Sequence, residues 1–185
     1  MSQINSLRLI FVLISAQAAF GITIISRSEW GGKPPTRTIF LPNGLSYAVI
    51  HHTAGAYCSN KASCIKQMKN IQNYHQKTLG WDDIGYNFLI GGDASIYEGR
   101  GWNVLGAHAL NWNSKSIGIC FMGNYNNDQP TEAQITAAKE LLSAAVSRGQ
   151  ITSNYILKGH RQVGATECPG NNLFNEIKTW SHWQA

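Results

Sequence analysis

Charge, cysteine and proline are all scarce in this chain, and each shortage excludes something. Only 14% of its 185 residues are charged while 43% are apolar, the opposite of an extended disordered sequence. Five Pro and 18 Gly exclude collagen-like and low-complexity composition. Four Cys are too few for a disulfide-dense miniprotein. Lys and Arg form no run, so the net charge of +5 points to neither a nucleic-acid stripe nor a polybasic membrane tract. No apolar run reaches the about 20 residues needed to span a bilayer, so no membrane insertion is expected. Also missing are the Gly-x-Ser-x-Gly elbow of serine hydrolases, the His-Glu-x-x-His zinc motif and any Asn-x-Ser/Thr glycosylation acceptor. What remains is a length suited to one domain with a real core.

Residues 1–21 differ from the rest. Arg8, the apolar run Leu9–Ile14 and the small residues Ser15, Ala16, Ala18, Ala19 and Gly21 follow the order of a secretory signal peptide. The expectation is a leader over 1–21 and a secreted, extracellular domain over 22–185, in a compartment where disulfides persist. There the close pair Cys58 and Cys64, in a polar loop entering a helix, reads as a local staple. Cys120 lies in a strand-like apolar run and Cys168 in the polar turn Thr166-Glu-Cys-Pro-Gly170. Whether those two pair stays open at this level.

Strand and helix patterns interleave. Tyr47–Thr53 reads as a buried strand that delivers its last residues to a surface. Cys64, Met68, Ile71, His75 and Leu79 recur at helical steps over 61–79, with Gly80 ending the helix. Tyr86–Ile90 and Ser95–Glu98 flank a Gly91–Ala94 hairpin turn, and Ile117–Met122 forms another buried strand. A helix spans Thr131–Arg148, with Thr131 and Gln134 as a capping box. Its apolar face is Ile135, Ala138, Leu142, Ala145 and Val146. A strand begins at Tyr155–Leu157 and runs into Gly159-His-Arg161, and Asn172–Trp180 can make a terminal helix. This favours a single α/β domain, a central mixed β-sheet flanked by helices.

His and Cys carry the suggestive chemistry. His51 ends one predicted strand and His160 another, with Cys168 in the turn that follows. Two imidazoles and a thiolate leave zinc a fourth, open position for water, as a catalytic site requires. The bland alternative is structural histidines with a Cys120–Cys168 disulfide, and spacing alone favours it. Adjacent His51 and His52 point to opposite faces of a regular strand, so at most one is a ligand.

Seven motifs in order change the balance. They are Trp30-Gly31, Ile50-His-His-Thr53, Asp83-Ile-Gly-Tyr-Asn-Phe88, Tyr97-Glu-Gly-Arg-Gly-Trp102, Gly106-Ala-His108, Gly159-His-Arg161 and Glu167-Cys-Pro-Gly170. Together they closely resemble the animal peptidoglycan recognition proteins, a family related to phage amidases, over about residues 24 to 183. The resemblance implies that His51, His160 and Cys168 bind Zn2+, and that Tyr86 is catalytic by stabilising the oxyanion. Thr166 stands where phage relatives carry Lys and would orient water or substrate. His52, Thr53, His75 and His108 match positions lining the substrate groove. Gly80, Trp81 and Arg100 match members that prefer diaminopimelate, whose extra carboxylate Arg100 could pair.

By the same resemblance the activity is that of an N-acetylmuramoyl-L-alanine amidase. Its partner is bacterial peptidoglycan; a monomer is expected, and the charge pattern points to no nucleic-acid partner. One disulfide is expected, Cys58–Cys64, leaving Cys120 a buried free thiol. Non-catalytic receptors of the family typically lack the Cys retained here as Cys168, which weighs against the receptor alternative. A lysozyme-like glycan hydrolase is the second rival, and it would release reducing sugar ends rather than peptides.

Overall fold

A computed structural model describes residues 22–185, so the predicted leader over 1–21 lies outside the described residues. The strands are β1 (Ile24–Ile25), β2 (Leu45–His52), β3 (Phe88–Ile90), β4 (Ile96–Glu98), β5 (Ser116–Phe121) and β6 (Ile151–Gly159). The α-helices are α1 (Arg27–Trp30), α2 (Lys61–Asn73), α3 (Glu132–Ser147) and α4 (Asn171–Ile177). One six-stranded sheet has the order β1-β4-β3-β5-β2-β6. Only β3 and β4 pair antiparallel, as the Gly91–Ala94 turn predicted; the other pairs are parallel. The mixed α/β sheet is therefore the one expected.

Both faces of the sheet are covered, which explains why β2, β3 and β5 read as apolar runs. Alternation sorts the side chains between two cores. Ala48, Ile50, Phe88, Ile90, Ile117, Ile119 and Phe121 pack on one side with Ile135, Ala138, Leu141 and Leu142 of α3. Leu89 and Cys120 pack on the other with Met68 of α2, Trp30 and Ile84. His51, two residues after Val49 on β2, belongs to this second face, and β5 carries Gly118 and Cys120 beside those two residues.

Helix α3 starts as the sequence predicts. Thr131 accepts from the Gln134 backbone N–H, and Gln134 returns the bond in a capping box. Gln134 is wholly buried and also donates to Gly91 O and the Tyr125 hydroxyl, so one cap residue ties α3 to the hairpin. Helix α1 has the same device in Ser26 and Glu29, a Ser-x-x-Glu signal that the sequence reading passed over.

Two expected helical spans differ. The helix over 61–79 is α-helical only to Asn73; Tyr74–Thr78 form a π-helical turn. The wider turn rephases the face, keeping His75 buried while Leu79 is turned outward. The terminal helix stops at Ile177, and Trp180 is buried in the turn beyond it. Cys58 and Cys64 form the expected disulfide, tying the loop before α2 to its first turn, and Cys120 and Cys168 are free and buried.

Candidate metal centre

Parallel strands place functional residues where their carboxyl ends open into a crevice. Here β2 and β6 are neighbours, with Ile50 opposite Gly159. The residues that follow them are His51 and His160, so register alone brings the two imidazoles together, ring centroids 4.5 Å apart. Cys168 arrives from the loop after β6. Its carbonyl accepts from the Arg161 N–H at 2.8 Å, and its own N–H donates to Thr166 Oγ1 at 3.1 Å. Thr166 thus braces the Cys168 turn.

One donor atom from each of His51, His160 and Cys168 lies within 4.8 Å of the others. Cys168 Sγ is 3.8 Å from His51 Nδ1. Tetrahedral zinc with bonds of roughly 2.0 Å to nitrogen and 2.3 Å to sulfur sets such donors about 3.5 Å apart, so the three residues fit that ion after a small contraction. His52 is turned to other work. Its Nδ1 accepts from Tyr125 N–H at 3.2 Å, while its backbone N–H donates to Cys168 Sγ at 3.3 Å. The strand alternation predicted at His51-His52 holds.

Burial sets the protonation states. His51 is pushed well below the usual imidazole value by burial first, then by His108 and His160. Burial likewise leads in holding His52 and His75 at about 4 and His108 at about 3. Neutral imidazoles are what a metal needs. The Cys168 thiol is pushed up to about 12 by burial, opposed by the His52 N–H and Arg161. A cation is what would convert it to thiolate, releasing a proton.

These shifts predict an acid-sensitive fold. An unfolded histidine takes up its proton near 6.5, whereas folded His52 and His75 resist until about 4. Stability is therefore full above 6.5 and is lost as pH falls across that window, by about 1.4 kcal/mol per pH unit per histidine. The urea midpoint of chelator-treated protein should drop between about pH 7 and about pH 5. A flat midpoint would mean these imidazoles are not held neutral.

Beside the three donors, the rings of Tyr86, His75 and Trp81 pack in turn as a wall. Tyr86 lies 5.3 Å from His51 and 5.8 Å from His75, centroid to centroid. Burial, then Cys120 and Cys168, raise its phenol well above the usual value, so it keeps its proton. His75, carried inward on the π-helical turn, accepts from Gly85 N–H at 2.9 Å and packs at a tilt on Trp81, ring centroids 4.7 Å apart. A Cβ on Gly85 would meet Ala107 O at 2.7 Å and Trp81 at 2.8 Å, so only glycine fits there. Arg100 is half-buried, with Nε on Ile84 O and Nη1 on Leu105 O, each at 2.8 Å. Gly80 adopts φ +70, the left-handed turn that ends the π-helical segment. Thr53 is used internally, its Oγ1 accepting from Gly123 N–H at 2.9 Å.

Sequence reasoning missed two buried residues that hold this wall. Asp83 accepts from Arg27, Gln72 and the Ile84 N–H. Asn87 donates to Gly101 O and Val104 O and accepts from Gly118 N–H. Both flank Ile84-Gly-Tyr86, so the loop presenting Tyr86 is pinned at each end. Polar residues inside an apolar segment were the available signal.

The chain matches known proteins over most of its length. The N-acetylmuramoyl-L-alanine amidase family matches residues 42–171. Peptidoglycan-recognition protein SC2 of Drosophila melanogaster is 70% identical over 181 residues, 98% of either chain. A solved mutant of Drosophila PGRP-LB in complex with tracheal cytotoxin superposes with a TM-score of 0.86 at 44% identity, covering 88% of this chain and 96% of that one. Peptidoglycan recognition protein-LE, solved in complex with tracheal cytotoxin (monomeric diaminopimelic acid-type peptidoglycan), gives 0.85 at 40% identity, covering 87% of this chain and 95% of that one. With the amidase-type domain over most of its length and these relatives, the chain belongs to the peptidoglycan recognition protein family.

Proposed function

We propose that the chain is a secreted, zinc-dependent N-acetylmuramoyl-L-alanine amidase acting on peptidoglycan, with a preference for the diaminopimelate type. The observation that carries the reading is the cluster of His51, His160 and Cys168 donor atoms within 4.8 Å. Among the described residues no helix is long and apolar enough to cross a membrane.

Zinc, when held by His51, His160 and Cys168, supplies a Lewis acid and makes water nucleophilic near neutral pH. The chain's own residues do the rest. Tyr86, its proton retained, donates to the lactyl carbonyl oxygen as negative charge gathers there. His52 N–H donates to the Cys168 sulfur, and Thr166 Oγ1 holds the turn that presents it. The amide between the lactyl group and L-alanine is cleaved, separating glycan from stem peptide.

Arg100 is the specificity residue in this reading. Two carbonyls fix its Nε and Nη1, so the guanidinium is held before substrate arrives. Trp81, His75 and Arg100 gather around Ile84-Gly85, and a diaminopimelate carboxylate would pair there with the guanidinium. Arg100→Val is expected to lower the diaminopimelate-to-lysine ratio of kcat/KM by roughly 10- to 100-fold, the worth of one charge-assisted hydrogen bond. The ratio cancels any general loosening of the loop. An unchanged ratio would refute the assignment.

The deciding experiment incubates purified protein with diaminopimelate and lysine muropeptides, with and without chelator. Chelator-sensitive release of stem peptide is the expected result. Bound zinc without peptide release would instead mark a receptor, and reducing sugar ends would mark a glycan hydrolase.

A further inference from the structure

We infer that His108 is a positioning residue behind the metal centre, holding His51 in the one tautomer and ring orientation that offers Nδ1 to the ion. This rests on the zinc reading above. His51 Nδ1 is the nitrogen facing Cys168 Sγ, at 3.8 Å. A neutral imidazole that ligates through Nδ1 must carry its proton on Nε2. His51 Nε2 lies 3.0 Å from His108 Nδ1. The bond therefore has one sense: His51 Nε2–H donates and His108 Nδ1 accepts. The proton of His108 then sits on its own Nε2.

The surroundings of His108 hold it in that role. Its ring lies against Gly118 of β5 and Gly106, where a Cβ on either glycine would meet Cδ2 at 2.4 Å. The N–H groups of His108 and Ala109 both donate to Asn113 Oδ1, at 2.8 and 2.9 Å, pinning the loop that delivers the ring. His108 Nε2 is shut off from solvent, with the Ser116 backbone as the polar group that interacts with the ring. Rotating the ring by half a turn would present Cδ2 to His51 in place of Nδ1, losing the acceptor. A neutral acceptor also orients His51 without setting a second negative charge beside the Cys168 sulfur. With one nitrogen bonded to His51 and the other sealed, His108 acts on the metal centre through His51.

The test is a zinc dissociation constant, measured by competition with a chromogenic chelator. His108→Leu, which removes the acceptor, is expected to weaken zinc binding about 10- to 100-fold, the range for losing such an outer partner. His108→Asn, whose Oδ1 can occupy the place of Nδ1, is expected to recover most of the affinity. Equal constants for wild type and a folded His108→Leu protein would overturn the inference and leave the zinc reading intact. A wild-type protein that binds no zinc would take both down. Should His108→Leu fail to fold, imidazole nitrogen NMR of the zinc-loaded wild type decides instead. Protons on Nε2 of both His51 and His108 are expected, and a proton on His51 Nδ1 would overturn the inference.

Discussion

Cys168→Ser is expected to lose zinc and hydrolysis together while muropeptide binding survives. The hydroxyl of Ser is shorter than the thiol and is not ionised near neutral pH, so the site keeps two imidazoles and no anionic donor. Losing an outer partner of a metal ligand already costs 10- to 100-fold, and losing a ligand should exceed that, so peptide release should fall at least ~10³-fold. Binding should persist because His75, Trp81 and Arg100 lie on elements that do not include the Cys168 turn. They are held by Gly85, Ile84 and Leu105. Metal analysis, peptide release and muropeptide titration on one preparation check the claim. Undiminished release would remove Cys168 from the metal centre, and lost binding would mean the turn also shapes the groove.

Tyr86→Phe isolates the second element of the chemistry. The variant keeps the ring beside His51 and His75 and deletes only the hydroxyl. An oxyanion donor works in the transition state and little in the ground state, so kcat should fall about 10²- to 10³-fold with KM little changed. Zinc affinity should not move, because the His51, His160 and Cys168 donors are untouched and a protonated phenol is not a customary zinc ligand. A rise in KM with unchanged kcat would instead make Tyr86 a binding residue. The two variants separate cleanly: one removes the ion, the other a single proton donor beside it.

Much of the fold was legible because its signals are local. The Gly91–Ala94 hairpin, the Thr131–Gln134 cap and the apolar runs of β2 and β5 each depend on neighbours in sequence. What escaped did so for physical reasons. Helix α1 is four residues long, too short for periodicity to register. Strand β6 begins at Ile151 rather than near Tyr155, because it is an edge strand whose Ser153 and Asn154 face solvent. The π-helical turn at Tyr74–Thr78 has no composition of its own, yet it decides that His75 rather than Leu79 faces inward.

The few cysteines of the chain follow the same division. Their local settings, a polar loop before a helix, an apolar strand and a Pro-Gly turn, let the sequence determine the Cys58–Cys64 staple. With the ordered motifs, they also singled out His51, His160 and Cys168 as the residues with metal chemistry. Only the tertiary structure decided that these three meet, because residues far apart in sequence are placed by sheet register. The pairing of Ile50 with Gly159 seats His51 beside His160. Only the tertiary structure, too, set His108 against Gly118, where its ring meets His51 Nε2. Residue type dictates what a side chain can do; strand order and register dictate what it can reach.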